Sequence, residues 1–477
     1  MDWNVVIGVE VHIRLCLNSK LFSASACHYG ADANMHACGI DLALPGTLPA
    51  ANTRAFDMAI MLGLDLEATI NPYNVFARKN YFYPDLPKGY QITQMDHPII
   101  IGGHIPINID GEKKDILIHH AHLEEDAGKL IHQKDSSCVD YNRAGTALIE
   151  VVTEPSMYSS QEAVSFLKAL RQRAVYLGIC DGNMEQGSFK FDINVSIRKD
   201  STSPLGTRTE IKNLNSFRFV ERAIECEIQR QSALLESGGS VTQATCLYDP
   251  NRDETRVMRS KEDAHDYRYF PDPDLCPIHI TPEWIARVET LMPEKQSKKI
   301  ERFCDTYHLK APDAQRITKD PSFCKLFETC AQTHPKLAHL FAQWILGDIT
   351  ALLNEHQMKH TDCPINAQQM VQVAEKVDNK IINRSAGKII FSHILQGNHD
   401  VDAIISEQKL CTLNDAHALS SIIESIIDDH PNQVAQYQNG QEKLWGFFMG
   451  QIMKKTKGQA DLDTVKTLLK NKLTLSE

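Results

Sequence analysis

The spacing of apolar residues changes near residue 293, and this change constrains the fold more than any other feature of the chain. Before Pro293, segments in which apolar and polar residues alternate, typical of half-buried strands, are interspersed with segments that have the 3.6-residue period of helices. After Pro293 the helical period dominates, as in residues 338–346. A chain of 477 residues is also too long for a single core. The sequence therefore predicts an α+β region followed by helical regions, with boundaries near residues 294 and 406.

Two predicted strands carry unusual polar faces. In residues 4–15 apolar side chains occupy every second position, which places Glu10 and His12 next to each other on the opposite face. Residues 190–198 follow the same pattern and place Asp192 on their polar face. Lysine or threonine would be the ordinary solvent-facing choice on such strands. Both strands are therefore candidates for positioning functional carboxylates.

Composition and charge exclude some classes of protein. The formal net charge of −11 argues against general nucleic-acid binding through bulk electrostatics, although a local patch of cations can still bind RNA. Residues 441–477 form such a patch, with seven lysines and four acidic residues. No run of 18 apolar residues exists, and the N-terminus lacks the basic start of a signal peptide. We therefore expect a cytoplasmic protein without a membrane span.

Further carboxylates cluster in the first region. Glu124 and Glu125 belong to three successive acidic residues that follow His122, and Glu150 and Glu154 lie in a later predicted strand. Successive carboxylates repel one another unless a cation lies among them. Oxygen ligands with a single histidine suit Mg²⁺ or Mn²⁺ better than zinc, and magnesium in turn indicates a phosphoryl-group substrate. The alternative is a solvated sheet face on which acidic residues cluster by chance.

Two other segments combine cations with aromatic or polar side chains. Residues 77–91 contain four aromatic residues, Lys79, Lys88 and two prolines that oppose a regular helix or central strand. A later loop places Arg208 and Lys212 among amide and hydroxyl groups. Each segment could bind an anionic or nucleotide-like partner, and each could equally be a packed loop. The sequence contains no P-loop motif, so ATP would have to bind in another kind of site.

Seven segments resemble the B subunits of the amidotransferases that act on glutamyl- and aspartyl-tRNA. They occur in the order of that family and extend over almost the whole chain: residues 6–12, 78–91, 122–129, 181–185, 210–217, 266–271 and 450–453. The resemblance implies a cradle-like, mixed-sheet catalytic domain over residues 1–294, a helical domain over residues 295–406 and a small helical tail over residues 407–477 that contacts tRNA. The absence of a large inserted domain resembles the bacterial type.

The resemblance also implies an activity and partners. The family works as a heterotrimer with an amidase-like A subunit, which releases ammonia from glutamine, and a small C subunit. Its B subunit uses ATP and Mg²⁺ to phosphorylate the side-chain carboxylate of glutamate or aspartate mischarged on tRNA, and ammonia then displaces the phosphate. Two alternatives are a non-catalytic tRNA-binding adaptor with the same fold and a metal-dependent phosphohydrolase or nuclease.

Residue roles follow by match to the family motifs. The expected Mg²⁺ ligands are Glu10, His12, Glu124, Glu125 and Glu150. The expected catalytic residues are Glu10, His12, Glu125, Asp192, Lys79 and Lys88, and we expect both lysines to line the mouth of the site or the ammonia path. Arg208 and Lys212 are the expected ATP-binding residues. The sequence leaves open which of Glu124 and Glu125 binds metal, and whether Glu-tRNA(Gln), Asp-tRNA(Asn) or both are substrates.

One departure from the family concerns zinc. Many members carry two cysteine pairs near residues 23–41 that bind structural zinc, whereas this chain has Ser23, Ser25 and Asp41 at three of those positions and retains Cys38. Two cysteines and two histidines do occur within residues 27–38, but two of them are adjacent, which does not match the usual spacing of zinc ligands. We therefore expect no structural zinc.

Overall fold

In the computed structural model, strands and helices are distributed along the chain as the sequence predicts. The structure describes residues 3–260, 266–412, 416–441, 443–456 and 460–474. It separates into two compact units, Met1–Pro293 and Glu294–Glu477. The first unit contains a large mixed sheet, and in the described residues of the second unit all the regular elements are helices. The predicted α+β class with a helical C-terminal part is confirmed.

The first unit contains all the described strands and four helices. The strands are β1 (Asn4–Arg14), β2 (Thr69–Ile70), β3 (Tyr73–Asn74), β4 (Ala77–Asn80), β5 (Tyr90–Thr93), β6 (Ile100–Ile101), β7 (His104–Ile109), β8 (Glu112–Glu125), β9 (Lys129–His132), β10 (Ser137–Asp140), β11 (Ala147–Thr153), β12 (Phe189–Arg198), β13 (Thr209–Lys212), β14 (Ala244–Asp249), β15 (Glu254–Ser260), β16 (Phe270–Pro271) and β17 (Ile278–His279). The helices are α1 (Thr53–Asp65), α2 (Ser160–Tyr176), α3 (Phe217–Glu236) and α4 (Pro282–Glu289).

The largest sheet has ten strands, and β1 lies near its centre. Its strand order is β15-β14-β13-β12-β1-β11-β8-β6-β2, with β7 also paired to β8. Strand β1 is antiparallel to both of its neighbours, so that Glu10 lies opposite Asp192 and His12 lies opposite Glu150. Glu150 in turn lies opposite His122 on β8. Directly opposed residues share a face of a sheet, so this register brings the polar residues of four strands to one face.

The other face of the sheet is apolar and packs against helices. Val9, Val11 and Ile13 of β1 are fully buried there, and α2 and α3 contact β1 and β12 respectively. Helix α2 begins at Ser160 because the Ser159 hydroxyl accepts a hydrogen bond from the Glu162 amide. Burial of each such aliphatic side chain contributes about 1.5–3 kcal/mol. The alternating pattern therefore fixes which face of the sheet is free to carry a site.

The second unit is built from helices and two separate apolar clusters. Its α-helices are α5 (Gln296–Tyr307), α6 (Ala311–Thr318), α7 (Pro321–Thr333), α8 (Ala338–Gln343), α9 (Thr350–Glu355), α10 (Ala367–Asp378), α11 (Arg384–Leu395), α12 (Val401–Glu407), α13 (Ala416–Asp429), α14 (Pro431–Gln438), α15 (Leu444–Lys455) and α16 (Leu462–Thr474). Short 3₁₀ turns at Pro335–Leu337 and His360–Asp362 and a π-helix at Trp344–Ile349 connect some of them.

The apolar clusters bear on the boundary expected near residue 406. The first cluster extends from Phe303 to Leu410, and the second from Leu419 to Leu473. Leu410 follows residue 406 but packs in the first cluster, so the clusters do not establish a boundary at that residue. The three domain limits therefore stay a prediction. None of the helices in the described ranges is long and apolar enough to span a membrane.

Candidate functional site

Three side chains from three neighbouring strands converge on the polar face of the large sheet. The Nε2 atom of His12 lies 3.5 Å from an oxygen of Glu124 and 3.4 Å from an oxygen of Glu150. Neighbouring ligands of an octahedral Mg²⁺ lie roughly 3 Å apart, since each metal–oxygen distance is roughly 2.1 Å. The spacing of these three ligand atoms therefore fits a hard divalent cation. The ligand types, two carboxylates and one imidazole, fit such a cation as well.

The charges in this group are strongly coupled. Burial opposes protonation of His12, but the hydrogen bond and charge of Glu150, together with Glu124, raise the pKa of His12 to about 9. Hydrogen bonds and charges from His12 and from His122, a residue of β8, outweigh burial at Glu150 and lower the pKa of its carboxyl well below the usual range. A protonated imidazole thus balances the carboxylates. A divalent cation that used the His12 nitrogen as a ligand would have to displace that proton.

His122 joins the same group, although it was not among the site residues expected from the sequence. Its Nε2 atom lies 3.4 Å from Glu150 and 3.7 Å from Glu124. Its Nδ1 atom is buried and has no hydrogen-bond partner among the described residues. The signal was present in the sequence, because His122 precedes Glu124 by two residues and so shares its face of the strand.

A second carboxylate group lies beside the first. One ligand oxygen each from Glu10, Asp192 and Glu210 lie within 4.8 Å of one another. The ammonium of Lys212 lies 2.6 Å from Asp192 and 3.0 Å from Glu210 and neutralises part of this charge. Burial and the charge of Glu150 raise the pKa of Glu10. Glu210 was also missed, although it lies two residues before Lys212 and therefore shares its face of β13.

A cavity of about 850 Å³ opens above both groups. Glu10, Glu124, Glu150 and Glu210 line it together with Lys79, Arg208, Tyr267 and Tyr269. The Lys79 ammonium lies 5.0 Å from the centre of the Tyr267 ring. Burial opposes its charge, but Tyr269, Glu124 and Glu150 raise the pKa of Lys79, which keeps it cationic. Carboxylates for a metal and cations for an anionic substrate therefore share one cavity.

Glu124 and Glu125 point to opposite faces of β8. Glu124 belongs to the His12 group, whereas an oxygen of Glu125 lies 2.5 Å from the Lys88 ammonium. The Glu125 carboxylate also accepts a hydrogen bond of 2.9 Å from the Ile92 amide. The structure therefore does not bring Glu125 or Lys88 to the metal-compatible groups. The physical reason is the alternation of side chains along a strand, whose phase the sequence left open.

The aromatic segment 77–91 is partly regular structure. Its ends form β4 and β5, which pair with each other and, through β4, with β16. The prolines lie in the connection between β4 and β5, where Phe82 is 87% exposed. Arg78 is ion-paired with Asp272 and Asp274. The segment is thus a hairpin that carries Lys79 to the cavity and Lys88 to Glu125.

The cysteines and histidines of residues 27–38 are held by ordinary contacts. The thiol of Cys27 donates a hydrogen bond to the Leu17 carbonyl, and the rings of His28 and His36 contact each other with centroids 4.1 Å apart. Neither metal-compatible group described above includes a residue of this region.

At the other end of the chain, Lys457 of the lysine-rich tail lies outside the described residues.

The fold and site define a member of a known class of catalytic domain. Residues 5–286 match the family described as the GatB/GatE catalytic domain, and residues 325–473 match the family described as the GatB domain. The B subunit of the aspartyl/glutamyl-tRNA(Asn/Gln) amidotransferase of Coxiella burnetii (strain RSA 493 / Nine Mile phase I) is 49% identical over 480 residues, covering 99% of this chain and all of the relative. Those of Thioalkalivibrio sulfidiphilus and Trichlorobacter lovleyi are 48% and 46% identical, again over 99% of this chain and all of each relative.

The chain belongs to the family of aspartyl/glutamyl-tRNA(Asn/Gln) amidotransferase B subunits. The resemblance seen in the sequence is confirmed by both family matches and by relatives that align from end to end.

Proposed function

We propose that this protein is the subunit that activates the amino acid on a mischarged tRNA. It phosphorylates the side-chain carboxylate of glutamate or aspartate with ATP, and ammonia then displaces the phosphate to give the amide. The observation that carries this proposal is the pair of carboxylate groups beneath a cavity that also contains Lys79 and Arg208. Such a cavity combines ligands for Mg²⁺ with cations for phosphate.

The chemistry explains why both kinds of residue are needed. A free carboxylate is a poor acyl donor because oxide would have to leave, whereas the phosphate of an acyl phosphate leaves readily. Mg²⁺ held by His12, Glu124 and Glu150 would neutralise charge on the phosphates of ATP. Arg208 and Lys79 bind and orient the anionic groups from the cavity wall. Lys212 acts by keeping Asp192 and Glu210 in place.

The proposal includes the other components of the complex. An amidase-like A subunit supplies ammonia from glutamine, a small C subunit completes the heterotrimer, and the protein acts in the cytoplasm. The tail of residues 407–477 contacts the tRNA, which gives the excess of lysine over acidic residues in residues 441–477 a role. Residues 1–294 bind ATP, Mg²⁺ and the aminoacylated end.

A non-catalytic adaptor would not need the residues that the cavity retains. Two groups of three potential metal ligands are intact, and Lys79 stays charged beside one of them. His12 and Lys212 offset part of this charge, but a charge network kept only for the fold would not need to line a cavity that also carries Arg208. This argument favours catalysis over a purely tRNA-binding role.

Reconstitution with the partner subunits tests the proposal. The complex is supplied with ATP, Mg²⁺, glutamine and either Glu-tRNA(Gln) or Asp-tRNA(Asn), and formation of the amidated tRNA is measured. His12→Ala and Glu150→Gln should each abolish amidation. His334→Ala is the matched control, because His334 also contacts a glutamate, at 3.1 Å, but lies in the second unit. It should leave the rate unchanged.

Two further measurements, phosphate release from ATP and glutamine hydrolysis, show which step of the reaction each variant loses. Release of phosphate from ATP that depends on mischarged tRNA should be lost with amidation in the His12→Ala and Glu150→Gln complexes, while hydrolysis of glutamine persists. Amidation at the wild-type rate in both variants would refute the assignment of the metal group. Loss of amidation with tRNA-dependent ATP cleavage intact would refute the proposed role in phosphorylation.

A further inference from the structure

Asp41 is the centre of a buried hydrogen-bond network that the proposed reaction does not use. Its side chain is 3% exposed. The hydroxyls of Ser23 and Ser25 donate hydrogen bonds of 2.8 and 2.6 Å to its two oxygens, and the amide of Cys38 donates one of 2.9 Å. Burial raises the pKa of this carboxyl, but the Ser25 and Cys38 hydrogen bonds and Lys20 leave it below the usual range. Asp41 is therefore a buried anion.

Lys20 supplies the matching cation. Its side chain is fully buried, and its ammonium lies 3.3 Å from Asp41. The same ammonium donates a hydrogen bond of 3.2 Å to the carbonyl of Tyr141. The hydroxyl of Tyr141 in turn donates a hydrogen bond of 2.8 Å to the carbonyl of Pro84, in the hairpin that carries Lys88. One buried ammonium thus links two segments that are distant in sequence.

Gly145 connects this ion pair to a second buried pair. A methyl group at Gly145 would lie 3.0 Å from an oxygen of Asp41, 3.4 Å from Cδ of Lys20 and 3.8 Å from an oxygen of Glu125. The Lys20–Asp41 and Lys88–Glu125 pairs therefore border the same small volume. The backbone of Gly145 is itself fixed, because its carbonyl accepts a hydrogen bond of 2.9 Å from the Leu21 amide.

We propose that Lys20 is a built-in structural cation whose ammonium, with the Asp41 carboxylate, cross-links residues 19–41 to residues 141–145 and positions the Lys88–Glu125 pair. A bound metal ion can hold several loop segments together because its charge attracts their ligands at once. An ammonium that contacts a carboxylate and a carbonyl does the same from within the chain. Glu125 is the last residue of β8, so holding it also fixes the end of the strand that carries Glu124. The inference concerns folding geometry and does not rest on the proposed function.

The amide of Ile92 is a direct reporter of this positioning, because it donates its hydrogen bond to the Glu125 carboxylate. Lys20→Met removes the charge and keeps the length of the side chain. In the full-length protein, purified with its partner subunits, we expect hydrogen exchange at Ile92 to become about tenfold faster, as for loss of one hydrogen bond to a charged group. Unchanged exchange at Ile92 in Lys20→Met would overturn the proposal.

Arg173→Met is the matched control. Arg173 forms an ion pair of 2.7 Å with Asp65 in the same unit, away from this network. We expect this variant to leave exchange at Ile92 unchanged even if it lowers the melting temperature. Equal acceleration at Ile92 in both variants would show a general loss of stability and would overturn the positioning role of Lys20.

Chemical rescue separates charge from volume. Lys20→Ala removes a propylammonium group, so added propylammonium should restore slow exchange at Ile92, whereas 1-propanol should not. Equal rescue by both compounds would overturn the role of the charge.

If the single variants fail to fold, the stability of the double variant Lys20→Met/Asp41→Asn decides the question. It should be more stable than either single variant, because no buried charge is left unpaired. A double variant no more stable than both singles would also overturn the proposal.

Discussion

Exchange of a single carboxylate for an amide at Glu124 or at Glu125 should produce two opposite phenotypes. Glu124 belongs to the metal-compatible group on the cavity face of β8, with His12 at 3.5 Å. Glu125 is ion-paired with Lys88 on the other face, where the side chain of Glu125 is 2% exposed and that of Lys88 is 11% exposed. Glutamine has almost the same shape as glutamate, so each substitution tests charge rather than packing.

The magnitudes follow from these contacts. In Glu125→Gln the buried Lys88 ammonium loses its counter-charge, and removal of one partner of a buried pair costs about 3–5 kcal/mol. For a unit that spans Met1–Pro293, such a loss lowers the melting temperature by about 5–8 °C. In Glu124→Gln a proposed metal ligand is lost. Loss of a residue that only supports a ligand already weakens binding roughly 10–100-fold, so we expect a reduction of at least about 100-fold in affinity.

Calorimetric titration with Mn²⁺ or Mg²⁺ and thermal unfolding without metal measure the two effects independently. Glu124→Gln should lose metal affinity and show the smaller fall in melting temperature, because Glu150 still faces both histidines. Glu125→Gln should show the larger fall in melting temperature and keep measurable metal binding below it. The reasoning is refuted if Glu125→Gln abolishes metal binding at a temperature where it is folded while Glu124→Gln binds normally.

Three further predictions concern pH, tRNA and backbone conformation. Because the pKa of His12 rises from about 6.5 to about 9 on folding, its proton stabilises the metal-free protein fully below pH 6.5, and this contribution is lost as the pH rises through 9. Unfolding experiments in the presence of a chelator should show this loss of stability, and calorimetry should show that the affinity for Mn²⁺ increases over the same pH range. An affinity for Mn²⁺ that does not change with pH would contradict metal binding by His12. The double variant Lys454→Ala/Lys466→Ala should raise the KM for tRNA and weaken the salt dependence of binding, because each phosphate contact contributes roughly −0.9 to the slope of the logarithm of the binding constant against the logarithm of the salt concentration. The rate of glutamine hydrolysis should stay constant. An unchanged KM would remove these lysines from the tRNA interface. Gly145→Ala should lower stability by about 2 kcal/mol in denaturant titration, because φ is +81° there and the added methyl would lie 3.0 Å from Asp41; stability equal to that of wild type would show that the backbone adjusts at no cost.

The sequence predicted the strands that carry Glu10, His12 and Asp192 and selected most of the residues that line the candidate site. Alternation in residues 4–15 indicated a strand with Glu10 and His12 on one face, and the structure contains it as β1. The carboxylates of Glu124, Glu150 and Asp192 were selected because they are unusual on such faces or match the family motifs. The strand prediction succeeds because the period of a strand is local and is written directly in the order of residues.

The sequence could not predict how these strands align. Grouping of His12 with Glu124 and Glu150, and of Glu10 with Asp192 and Glu210, depends on the register of β1 against its neighbours. Lys212 was expected to bind ATP, which stays a prediction, and the structure pairs its ammonium with two carboxylates. A lysine beside an acidic residue gives no local signal that distinguishes these roles.

The amino-acid sequence by itself determined the change from mixed sheet to helices, the face of each strand that is polar, and membership of the amidotransferase B-subunit family. These properties depend on local periodicity and on matched segments. Only the tertiary structure decided that Glu124 faces the cavity while Glu125 pairs with Lys88, and that Lys20 pairs with Asp41. Contacts between distant segments depend on strand register and loop closure, which global packing fixes once the whole chain has folded.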